Sequence, residues 1–243
     1  MALLALLVLI LRLPIVCITL SVHETAHGFA AYKLGDPTAK YFGRLTLNPL
    51  KHFDLIGSIC FLVFGIGWAK PVPINARYFK NPKRDMAITA FAGPLSNILM
   101  AVIGIVFLRA FDIALFDGSY FTSQALLGGY SFADISLGAI VADEFTVAYK
   151  MRFVLMYFLE MFSMMNVALA IFNLIPVPPF DGSRIAFAIL PDRYYFGIMK
   201  YERIIMLVFL VAFMVFGDGF SYFVSGVFNG VYGALSFLTS FLV

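Results

Sequence analysis

The residues best able to do chemistry sit together in Ser21-Val22-His23-Glu24-Thr25-Ala26-His27, which holds two of the chain's three histidines. Residues four apart on a helix lie on one face, so His23 and His27 stack there. Two imidazoles one turn apart can hold a single zinc ion. Glu24 follows the first imidazole directly, where its carboxylate can take a proton from zinc-activated water. The spacing is the HExxH pattern of zinc hydrolases. It predicts His23 and His27 as metal ligands and Glu24 as the catalytic general base. Such a site takes three protein ligands and keeps one position open for water. The best candidate for the third is remote: Asp181, in Asn173-Leu174-Ile175-Pro176-Val177-Pro178-Pro179-Phe180-Asp181-Gly182. Proline cannot continue a helix. The three prolines should therefore end the preceding apolar run and leave Asp181 on a kinked, glycine-flanked turn.

Composition says what kind of element must carry these groups. Of 243 residues, 62% are hydrophobic and 13% charged. Soluble domains carry roughly 45–50% and about 25%. Half the usual charge cannot cover a water-facing surface, which excludes a disordered chain and a soluble globule. The expected class is an integral membrane protein, in contact with a lipid bilayer. The net charge of +3, from 17 basic and 14 acidic residues, does not point to nucleic acid. Cys17 and Cys60 lie in apolar runs and read as packed thiols.

A membrane helix needs about 20 mostly apolar residues. The runs 2–22, 86–108, 153–180, 204–217 and 219–243 qualify or nearly do, the last two separated by Asp218. The predicted fold is an all-α polytopic membrane protein of about five (four to six) transmembrane helices. It forms one integral-membrane domain over 1–243, with a core at about 10–200 and C-terminal helices at about 203–243. Residues 55–69 are apolar but too short to span comfortably, and Arg44 to Asn48 alternate with period two, as a strand does. Together they predict a short re-entrant β-hairpin or loop around 43–69. Non-helical backbone at membrane depth needs protein or a watered cavity to satisfy it, so this segment should line a cavity.

Basic residues orient the chain. Residues 28–85 and 182–203 are rich in Lys and Arg, whereas 110–149 has none and carries Asp112, Asp117, Asp134, Asp143 and Glu144. The positive-inside rule places the first two stretches in the cytoplasm and the third outside. The HExxH stretch and Asp181 then lie at similar depth, near the cytoplasmic face, as a shared metal requires. Gly93-Pro94 reads as a packing or kink feature, Asn97 as a hydrogen-bonding residue between helices, and His52 as solvated or locally structural.

The chain resembles the site-2 protease family of intramembrane zinc metalloproteases, and its compact bacterial members in particular. The resemblance rests on HETAH (23–27), FAGPLSN (91–97), NLIPVPPFDG (173–182) and GRLTLNPLKHFDLIGSI (43–59), and covers roughly residues 15–200. It implies a three-helix catalytic core and a multi-pass peptidase of the inner (plasma) membrane without a PDZ or CBS domain. It further implies one Zn2+ held by His23, His27 and Asp181, with Glu24 as base. Asn173 becomes a candidate for contacting the substrate backbone or the oxyanion. The implied reaction is hydrolysis of a peptide bond in or near a transmembrane segment. The substrate would be a single-span membrane protein or a signal-peptide remnant, its opened segment held by strand addition near 43–65. Two other readings compete: a divalent-metal transporter or channel using the same His and Asp side chains, and an inactive membrane chaperone. Glu24 separates the first, since metal passage needs no base. The complete metal set argues against the second.

Overall fold

The computed structural model describes residues 2–54, 70–118, 140 and 146–239. Among them the regular elements are helices, and no β-strand occurs beyond a single bridge residue at Phe53. The helices are α1 (Ala2–Lys33), α2 (Thr38–Tyr41), α3 (Pro82–Phe116), α4 (Val147–Asn173), α5 (Asp181–Phe187), α6 (Asp192–Lys200) and α7 (Glu202–Thr239). Short 3-10 turns occupy Pro49–Lys51 and Ala76–Tyr78. Among the described residues, three helices are long and apolar enough to cross a bilayer, over Leu6–Lys33, Pro82–Phe116 and Val147–Asn173.

Three expectations change. The period-two stretch Arg44 to Asn48 is not a strand. The Thr46 hydroxyl accepts from the Asn48 N–H at 3.1 Å, and the Asn48 side chain accepts from the Leu50 N–H at 3.0 Å. These local side-chain bonds compete with a ladder, and Pro49 then opens a 3-10 turn. The rest of the expected hairpin, 55–69, lies outside the described residues. The run expected over 153–180 stops as a helix at Asn173, and Asp181 opens α5 in place of a turn. The two C-terminal runs form one helix, α7, which continues through Gly217 and Asp218. A glycine–aspartate pair costs helix propensity but removes no backbone hydrogen bond, so it need not break a long apolar helix.

The chain divides into two compact units. One comprises Met1–Val16, Ile98–Val167 and Asn229–Val243. Its core is Leu108, Phe116, Phe153 and Met156, with Phe111, Tyr149 and Leu159 packed against them. Phe153 meets both Phe116 and Tyr149 ring to ring, at centroid distances of 5.1 and 5.3 Å. The other unit comprises Cys17–Asn97 and Ala168–Phe228 and contains every residue proposed for the site.

Candidate metal centre

α1 places His23 and His27 one turn apart, both buried. Their Nε2 atoms face each other at 3.0 Å. Asp181 Oδ2, at the first residue of α5, lies 3.4 Å from His23 Nε2 and 3.1 Å from His27 Nε2. The three sequence-predicted ligands, remote in the chain, thus form one cluster able to hold an ion.

The other ring nitrogens are committed. His27 Nδ1 lies 2.8 Å from the Thr89 carbonyl oxygen, an acceptor only, so Nδ1 carries the proton. His23 Nδ1 lies 2.6 Å from Asn97 Oδ1 and donates in the same way. Such partners fix the ring orientation and tautomer of a metal-binding histidine. Both Nε2 atoms then present lone pairs. Asp181 Oδ2 is buried without a hydrogen-bond donor. Three acceptors converge with no donor between them, an arrangement that a cation relieves.

α3 is the wall behind the histidines. Thr89, Gly93 and Asn97 are spaced by four, on one face. Thr89 supplies its carbonyl and Asn97 its side chain. Gly93 lies between them against the rings, where a Cβ would come within 2.6 Å of His23 Cε1 and closer still to His27. Only a residue without a side chain lets the backbone approach this closely. Sequence reasoning gave Gly93 a packing or kink role and Asn97 a hydrogen bond between helices; the structure makes His23 the partner of that bond and sets Gly93 against the rings. The signal that connects them to the histidines is their shared spacing of four.

Glu24 lies beside the cluster, and its Oε2 accepts the Val72 N–H at 2.8 Å. A cavity of about 420 Å³ is lined by His23, Glu24, His27, Asp181, Asn173 and the segment around Val72, among others. Asn173, the last residue of α4, donates from Nδ2 to the Leu169 carbonyl one turn back, at 3.0 Å. His52 is buried, with Nε2 2.7 Å from the Thr46 carbonyl, a tie within its own loop and not a solvated group.

Apolar helices of spanning length and a two-histidine, one-carboxylate cluster define a membrane-type protein with a candidate divalent-metal centre. The model of peptidase family M50 matches residues 12–216, and the chain belongs to that family. It is 36% identical over 206 residues to the "Putative zinc metalloprotease YwhC" of Bacillus subtilis (strain 168), covering 83% of this chain and 81% of that protein. It is also 35% identical over 101 residues to the "Putative zinc metalloprotease Rip2" of Mycolicibacterium smegmatis (strain ATCC 700084 / mc(2)155), 38% of each chain. No solved structure matches it.

Proposed function

We propose that the protein is an intramembrane zinc metalloprotease of the inner (plasma) membrane. It hydrolyses a peptide bond in or near a transmembrane segment of a single-span membrane protein or signal-peptide remnant, at a site near the cytoplasmic face. The observation that carries this reading is the convergence of His23 Nε2, His27 Nε2 and Asp181 Oδ2 as three acceptors beside the Glu24 carboxylate. Nitrogen and carboxylate donors suit zinc, and three of them leave a fourth position open. His23, His27 and Asp181 would hold one ion, which when bound supplies a Lewis acid that brings the pKa of water to about 7.

The chain's own groups do the rest. Glu24 accepts a proton from the attacking water and can return it to the leaving amine nitrogen. Asn97 and the Thr89 carbonyl keep the imidazoles aimed. Asn173, on the cavity wall, would contact the substrate backbone or the oxyanion. The cavity would admit water and an unwound segment of substrate beside Glu24.

The test is cleavage of a panel of single-span substrates in liposomes, with metal content measured on each variant. Glu24→Gln should keep zinc and lose cleavage by about a thousandfold or more, as loss of an acid–base group does. Asp181→Ala should lose both. Metal passage across the liposome that persists in Glu24→Gln, with no cleavage by the wild type, would favour the transporter reading instead.

A further inference from the structure

The Glu24 carboxylate is held by a backbone strap, Lys70 to Asn75, that is itself fastened at both ends. Arg44 Nη2 donates to the Lys70 carbonyl at 2.6 Å and reaches the Pro71 carbonyl at 3.4 Å. The Lys70 N–H donates to the His52 carbonyl at 2.8 Å. At the far end the Asn75 N–H donates to Asp36 Oδ2 at 2.7 Å. Asp36 is fully buried, and its other oxygen accepts both the Thr38 N–H and the Thr38 hydroxyl. Between these fastenings Val72 gives its N–H to Glu24.

Two sequence features make the strap suited to this. Pro71 and Pro73 flank Val72. Proline has no N–H and a fixed φ, so the strap is stiff there and Val72 is the donor its middle offers. Val72 is also seated against α1: a Cβ on Gly28, one turn beyond Glu24, would lie 3.1 Å from Val72 Cγ1 and 2.8 Å from Leu45 Cδ2. The bare backbone at Gly28 is what lets Val72 lie this close to α1. A carboxylate on a helix rotates freely about its side-chain bonds unless something holds it. Here one oxygen is committed to a donor whose position is set from Arg44 and Asp36.

We propose that Arg44, acting through the strap 70–75, is a positioning residue for Glu24, with Asp36 fixing the opposite end. Arg44 lies outside the metal cluster and is not among the side chains that line the cavity. The inference rests on the reading of Glu24 as general base, and it predicts a defect in turnover without one in metal loading.

The experiment compares wild type, Arg44→Ala and Arg44→Lys as full-length protein in nanodiscs. The readouts are zinc content, kcat and KM separately, and hydrogen exchange of the peptide carrying the Val72 amide. Arg44→Ala should lower kcat by about 10–100-fold, the size of outer-shell effects, with zinc retained and KM within about twofold. Val72 exchange should quicken, and it should quicken also in Glu24→Ala. Arg44→Lys should recover part of kcat, since one ammonium can still donate to the Lys70 carbonyl. Unchanged kcat and exchange in Arg44→Ala would overturn the proposal. So would a rise in KM at constant kcat, which would make the strap a substrate contact, or zinc lost together with kcat, which would make Arg44 a support of the whole unit. If the wild type cleaves no substrate, the protease reading falls and the exchange measurements still decide the strap: unchanged Val72 exchange in both alanine variants refutes the clamp.

Discussion

The two halves of α3 work in opposite ways. Its N-terminal half turns Thr89, Gly93 and Asn97 to the histidines: a carbonyl, a bare backbone and an amide. Its C-terminal half contributes Leu108 and Phe116 to a core completed by Phe153 and Met156 of α4. In a bilayer, apolar burial gives little drive for helices to meet, because lipid tails are as apolar as leucine. Side-chain shape and polar bonds remain. The core over 108–156 uses shape, and the wall behind the metal cluster uses hydrogen bonds and close backbone approach. The first tolerates exchange of one hydrophobe for another. The second does not, because the position of two imidazoles depends on it.

The sharpest way to break this contrast is Gly93→Ala. In a generic helix interior alanine is favoured over glycine by about 1 kcal/mol. At this position the added methyl would lie closer to both imidazoles than any real contact. Either ring must turn, which also strains its bond to Thr89 or Asn97. We expect a loss of cleavage of about a hundredfold or more, the scale of an ångström misplacement, together with weakened zinc binding. Activity and metal content measured on the purified variant test this. A variant with both intact would show that the wall can yield.

How much of this was readable from the residues differs across the molecule. His23, Glu24 and His27 were legible because helix periodicity alone puts the histidines on one face. Asp181 was legible because prolines end a helix and because the charge pattern gave it the same depth as the histidines. The wall was not. Threonine, glycine and asparagine each have an ordinary reason to occur in a membrane helix, and on an α3 that is apolar on nearly every side their spacing of four stands out only once a partner is known. The strap was hidden for another reason. Arg44 to Asn48 alternates like a strand, but Thr46 and Asn48 satisfy local N–H groups with their own side chains, and Arg44 turns to a carbonyl 26 residues on. Long-range side-chain-to-backbone bonds leave no periodic trace. The helix ends were misjudged where apolar composition ran past the backbone: Leu174 to Phe180 remain apolar after the helix stops, and Asp218 sits inside a helix that does not stop.

Asn97 offers a milder break. Its Oδ1 fixes the His23 ring from the side opposite the cluster. Asn97→Ala removes that acceptor and leaves His23 Nδ1 without it in a buried site. The expected cost is about 10–100-fold in zinc affinity or activity, the range for partners that orient metal-binding histidines. Asn97→Asp keeps an acceptor at the same place and should recover much of the loss. Zinc titration of the two variants against wild type is the measurement. Equal affinity in all three would mean that the Thr89 carbonyl and the backbone hold the rings unaided.

The smallest effect on the site should come from the other half of α3's surroundings. Met156 is fully buried among Leu108, Phe116 and Phe153. Truncating it to alanine leaves a void that its neighbours fill only in part. In water, such a change costs about 2–5 kcal/mol, of which the transfer of the lost atoms is one share. In a bilayer that share is small, because methionine leaving the core meets an equally apolar medium. What remains is the lost contact, so we expect a cost near the lower end, about 2 kcal/mol. Zinc content and kcat per folded molecule should stay at the wild-type level, since no group that holds the imidazoles lies in that core. Thermal unfolding in detergent, read beside zinc content, separates the two. A Met156→Ala protein that unfolds earlier but keeps its metal supports the division between shape and polar bonds. One that loses zinc before it unfolds would show that the core at 108–156 also sets the geometry of the metal cluster.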